Sequence, residues 1–182
     1  MSLLNAELPY LTYLTPFTYG ITADGDLLQL EDDALLSAAR QRGVRPVMHL
    51  STMTEEGRFS SAQAETLLGS APRQETLLGQ VKEILKEKGY GGLDVDFEYI
   101  RPELGAAYAA FVDRLRRELN PLGCSVLVAL APKTFAGQRG LLYEAHDYAA
   151  LGRAANGVLL MTYEWGYTCL LYTSPSPRDK RQ

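Results

Sequence analysis

The sequence predicts an α/β fold, an incomplete (β/α)8 TIM barrel holding about five of the eight strands. Stretches with helical spacing alternate with short, almost wholly apolar runs, the pattern of βαβ units around a parallel sheet covered on both faces. Turn residues, chiefly glycine and proline, punctuate those units. A full barrel of this kind needs about 250 residues, and 182 residues accommodate little more than half of one.

The elements follow in order. PYLTYLTPFTYG is the first and least regular strand, interrupted by Pro16. After the turn at Asp24-Gly25, LEDDALLSAARQRG carries apolar residues at helical spacing, and Gly43 ends it as a C-terminal glycine does. VRPVMHLST is a short buried strand. Residues 60–88 are helical in two pieces, the second being QETLLGQVKEILKEKG, with Leu77, Val81, Ile84 and Leu85 on one stripe before Gly89. The strand GGLDVDFEYI comes next, and Pro102 then opens the helix PELGAAYAAFVDRLRREL. The turn NPLG precedes the strand SVLVALAP, and a short helix in EAHDYAALGRA leads to a fifth strand, GVLLMTYEW.

Composition limits the function. At 46% hydrophobic and 22% charged, the chain reads as soluble and globular. No apolar run reaches about 18 residues, and MSLLNAELPYL lacks the three regions of a secretory signal, so membrane insertion is not expected. The formal charge of −4 comes without a basic stripe, which argues against nucleic acid and for a neutral or polar ligand. Cys124 and Cys169 lack CxxC spacing, and His49 and His146 lie far apart, so neither a disulfide framework nor a zinc site is supported. His49 reads as a residue that packs or hydrogen-bonds at a strand end. Residues 169–182, CLLYTSPSPRDKRQ, abandon the periodic pattern for Ser, Pro, Arg and Lys. They are expected to be a disordered tail and resemble translated vector sequence. The expected division is therefore 1–168 barrel and 169–182 tail.

Asp94, Asp96 and Glu98 recur every second residue, so on a strand they share one face at intervals of about 7 Å, while Leu93, Val95 and Phe97 share the other. On an open antiparallel sheet this would be a solvated acidic face. In a central parallel strand the second face points into the barrel, where clustered carboxylates raise at least one pKa and keep an acid protonated for catalysis. The pattern alone leaves three readings: a functional acid cluster, a cation site and the solvated face.

GGLDVDFE resembles the DGxDxDxE signature of glycoside hydrolase family 18, with Gly91 where the first Asp usually stands. PYLTYLTPFTYG, LAPKT, LLYEAHDY and LLMTYEWGY resemble strands and loops of that family's spore-cortex and peptidoglycan-hydrolysing branch, and the likeness spans about residues 8–168. The resemblance implies cleavage of β-linked N-acetylglucosamine polymers, peptidoglycan or chitin, with retention of configuration and the substrate's acetamido oxygen as nucleophile. It implies Glu98 as general acid and base, Asp96 as acceptor from the acetamido N–H, and Asp94 behind it sharing a proton. It further implies that Tyr163 holds the acetamido oxygen and that Glu164 follows it in the site. Trp165 and Tyr19 are expected as sugar-stacking platforms. No cofactor or metal is implied; the parent protein is expected to be a monomer acting outside the cytoplasm, at the cell wall or spore surface.

Two rivals remain at this stage. A barrel binding Mg²⁺ or Mn²⁺ through its acids is disfavoured because they come from one strand. An inactive lectin on the same fold is disfavoured by the intact DxDxE run. The isolated chain, with unpaired strand edges, is expected to show little activity.

Overall fold

The computed structural model of the chain describes residues 2–163. Its strands are β1 (Tyr13–Leu14), β2 (Arg45–Pro46), β3 (Met48–Ser51), β4 (Gly92–Asp96), β5 (Ser125–Leu130) and β6 (Gly157–Leu160). All pairings are parallel: β1 with β2, and β3-β4-β5-β6 in that order. Tyr19 also bridges to Leu50, its N–H donating to the His49 carbonyl and its own carbonyl accepting from the Ser51 N–H, each at 2.9 Å. Residues 13–19 thus form one barrel position, broken around Pro16 and the cis Phe17–Thr18 peptide. β2 and β3 form the second position, interrupted at Val47. Five neighbouring parallel positions result, as the sequence predicts.

The helices are α1 (Ser2–Glu7), α2 (Asp33–Gln41), α3 (Ser61–Leu68), α4 (Ala71–Glu87), α5 (Gly105–Leu119) and α6 (Tyr148–Ala154). Caps decide several starts. Ser60 accepts from the Gln63 N–H at 3.2 Å, and Asp147 from Ala150 at 3.0 Å. α4 begins three residues before the expected Gln74, because Ser70 caps it and Pro72 occupies the first turn. Gly43 and Gly89 end α2 and α4 with φ of 71° and 61°, the left-handed region that glycine enters freely.

The sheet has two unlike faces. Leu93, Val95 and Phe97 point to the helices and are fully buried with Leu77, Val81, Phe111, Val112 and Leu115. His49, Ser51, Asp94 and Asp96 point the other way, into the barrel. Among the described residues β6 has one strand neighbour, and Val158, Leu159 and Leu160 are 47%, 43% and 44% exposed.

Behind the first strand lies a buried polar lock. The Asp32 carboxylate accepts from Lys88 Nζ at 2.6 Å, from Tyr19 at 2.8 Å and from the Tyr90 hydroxyl. Burial alone would raise the Asp32 pKa, but these donors outweigh it and hold the group below the ordinary carboxylate range. Lys88 is raised, its bonds to Asp32 and Tyr19 overcoming its own desolvation. Lys88→Met leaves Asp32 with two neutral donors and no cation, so a loss of about 3 kcal/mol in urea unfolding is expected at pH 7. Because the folded Asp32 pKa is depressed, the pair's contribution is complete above about pH 4 and falls away through the lower, folded pKa. The difference between Lys88→Met and wild type should therefore shrink on acidification.

Candidate active site

β4 delivers the three acids in graded burial. Asp94 and Asp96 are 4% and 5% exposed, and Glu98, just past the strand, is half-buried. Asp96 and Glu98 line an open cleft of about 440 Å³ together with Phe17, Tyr99, Met161 and Tyr163, at the C-terminal ends of the strands. Asp94 sits one step deeper. The sequence-predicted Asp94, Asp96, Glu98 and Tyr163 are therefore brought to one place.

The second barrel strand faces them. His49 is in register with Asp94, and Ser51 with Asp96. His49 Nε2 lies 3.4 Å from Asp96 Oδ2, while its Nδ1 lies 2.6 Å from Thr18 Oγ1. Thr18 Oγ1 is in turn 3.0 Å from Ser51 Oγ, and the Phe17 ring covers the imidazole at 4.8 Å between centroids. Burial pushes the Asp94 carboxyl above its ordinary range; His49 pulls it part of the way back and Asp96 adds to the rise. Asp94 Oδ1 and Asp96 Oδ1 accept no hydrogen bond among the described residues.

A raised folded pKa means that Asp94 ionises at greater cost in the folded than in the unfolded chain. That cost is complete above the folded pKa and vanishes below the unfolded value of about 3.9. Asp94→Asn should consequently raise the melting temperature at pH 7, with the gain disappearing towards pH 4 in thermal scans.

Tyr19 requires a correction. Expected as a sugar-stacking platform, it is fully buried, and its hydroxyl is spent on Asp32. The break at residues 16–18 turns Thr18 into the barrel and Tyr19 towards the helices. Phe17, 58% exposed on the cleft, has the accessible ring instead. Glu164, Trp165 and the expected tail lie outside the described residues.

Other groups were not legible as site residues. His146 accepts the Ala131 N–H at Nδ1 (2.9 Å), so its Nε2–H donates to the Phe97 carbonyl (3.0 Å). Burial lowers its pKa and keeps it neutral, and the two bonds join the ends of β4 and β5 between Asp96 and Glu98. Tyr99 follows Glu98 with φ 54°, a left-handed turn unusual for a bulky residue. Gly91, where the signature has an acid, is explained by Arg45: its side chain fills the space of a Cβ there and donates to the carbonyls of Gly91 and Gly123. Among the described residues, no three acid, histidine or cysteine side chains are grouped to hold a metal, and no helix is long and apolar enough to cross a membrane.

No protein-family profile matches the chain. The cortical fragment-lytic enzyme of Bacillus subtilis (strain 168) is 37% identical over 160 residues, covering 88% of this chain and 37% of that protein. Its Bacillus anthracis counterpart is 32% identical over 169 residues, covering 91% and 39%. The crystal structure of the Bacillus megaterium QM B1551 spore cortex-lytic enzyme SleL superposes with a TM-score of 0.86 at 36% identity, over 96% of this chain and 40% of that one. This chain is a chitinase-like barrel segment related to the spore cortex-lytic enzymes. A class V chitinase from Pseudomonas fluorescens Pf-5 gives a TM-score of 0.83 at 27% identity, over 90% of this chain and 50% of that one. The chitinase-like segment spans about two fifths of the length of those curated relatives.

Proposed function

We propose that the protein to which this barrel segment belongs is a glycoside hydrolase that cleaves β-linked N-acetylglucosamine polymers, in cortex peptidoglycan or chitin, outside the cytoplasm. The observation that carries the proposal is the gradient along β4: two buried carboxylates behind a third, half-buried one that opens on the cleft. Glu98, at the accessible end, gives its proton to the departing glycosidic oxygen. The substrate's acetamido oxygen attacks the anomeric carbon, and Asp96 offsets the charge of the resulting oxazolinium ion through the acetamido N–H. Glu98 then takes a proton from water as it adds, and configuration is retained. Tyr163, on the same cleft, orients the acetamido oxygen, and Asp94 tunes Asp96 from behind. Glu164 and Trp165, next in the chain, are proposed to meet the sugar.

The test uses the full-length protein, with all eight strands, on spore-cortex peptidoglycan and on a chitin oligomer. Expected are new reducing ends, the β-anomer appearing first by NMR, and no effect of EDTA. Binding without cleavage would support a lectin; dependence on added metal would return the cation reading.

A second reading applies to the 182 residues expressed by themselves. The exposed Val158, Leu159 and Leu160 and the one-sided pairing of β6 among the described residues favour association over a working cleft. Such material should show little hydrolysis and elute as multimers; a stable, fully active monomer would refute this.

A further inference from the structure

We infer that His49 is a positioning residue for Asp96: it presents Nε2–H to Asp96 Oδ2 and so fixes the orientation of that carboxylate behind the cleft. This rests on the hydrolase reading above and adds a residue to it. Thr18 Oγ1 has one hydrogen and three neighbours, His49 Nδ1 at 2.6 Å, Ser51 Oγ at 3.0 Å and the Tyr19 carbonyl at 3.3 Å. Ser51 Oγ already accepts from the Met53 N–H at 3.3 Å.

If the Thr18 hydroxyl donates to Nδ1, a neutral imidazole has its proton on Nε2, aimed at Asp96. If Thr18 donates elsewhere, Nδ1–H must donate to Thr18. Nε2 would then turn a bare lone pair to a carboxylate 3.4 Å away, which is unfavourable unless the ring is an imidazolium. With Asp96 ionised, both tolerable arrangements place a proton on Nε2. The titratable groups that face the imidazole are Asp94 and Asp96 of β4; from its own side come Thr18, Ser51 and the Phe17 ring. Behind β4, Tyr108 and neutral His146 complete the surroundings of the acids. Asp96 Oδ1 is buried and has no partner among the described residues, so the imidazole at Oδ2 is the contact that orients this carboxylate.

The first measurement is ¹⁵N NMR of the histidine rings in the full-length protein at pH 7, with the His49 signals identified by their loss in His49→Gln. A protonated Nε2 whose shift moves in Asp96→Asn is expected; a bare Nε2 overturns the inference whatever the activity. The second is the pH profile of kcat/KM. His49→Phe removes a donor from a carboxylate, so the acid limb should move to higher pH and kcat should fall roughly 10- to 100-fold, the worth of one hydrogen bond to a charged group, with KM changing less. His49→Gln, which keeps an N–H, should recover much of that loss. An unmoved acid limb in folded His49→Phe refutes the inference. Failure of the hydrolase reading would show separately, as sugar binding without cleavage by the wild-type protein, and leaves the NMR result standing.

Discussion

Glu98→Gln in the full-length protein is expected to lower kcat on a chitin oligomer or cortex fragment by about 10³-fold or more, while unfolding and substrate binding stay close to wild type. The magnitude follows from the two proton transfers assigned to this one group, general acid–base catalysis contributing typically about 10²–10⁴-fold. Glutamine matches glutamate in size and still accepts a hydrogen bond, yet has no proton to give at the glycosidic oxygen. Glu98 is half-buried past the end of β4, outside the apolar core, so the amide removes no core packing. Turnover, urea unfolding and oligomer affinity measured on the same preparation separate these terms. Turnover within about tenfold of wild type would take the acid role from Glu98.

The three acids were legible because alternation survives without knowledge of register: on any strand 94, 96 and 98 share a face. The flanking helices then made that face internal. Alternation misreads Tyr19 because counting by twos fails across a break: pairing stops at Leu14 and resumes at Tyr19, with Pro16 between them. His49 reads in the sequence only as a strand-end residue, since its meaning depends on register; nothing in VRPVMHLST says that His49 stands opposite Asp94. His146 was illegible for the same reason, its partners being backbone groups of two other segments, Phe97 and Ala131. α1 carries no signal in the sequence because SLLNAE is too short for periodicity to register. Five strands were correctly counted, although two of the five barrel positions are each broken in pairing.

Phe97→Ala should be the most damaging single change to stability, and it should cost activity as well. Phe97 is fully buried, lying nearly parallel to Tyr108 with centroids 5.5 Å apart and to Phe111 at 5.9 Å. Truncating a buried phenylalanine costs about 3–5 kcal/mol in transfer and cavity terms, a large share of the roughly 5–15 kcal/mol that holds a domain folded. The melting temperature should fall by about 10 °C or more, and the urea midpoint should drop with little change in slope. Phe97→Leu, which refills part of the space, should lose much less. The effect on activity has a different origin. The Phe97 carbonyl accepts from His146, so this residue is held on its side-chain face by the aromatic stack and at its backbone by a strand-to-strand bond, with Asp96 and Glu98 on either side. Loss of the stack frees the segment to shift, and a displacement of about 1 Å at a reacting group can cost about 10²-fold. Turnover per folded molecule, measured well below the transition, should therefore fall in Phe97→Ala and recover in Phe97→Leu. Unchanged turnover in the folded fraction would mean that His146 alone holds the acids in place.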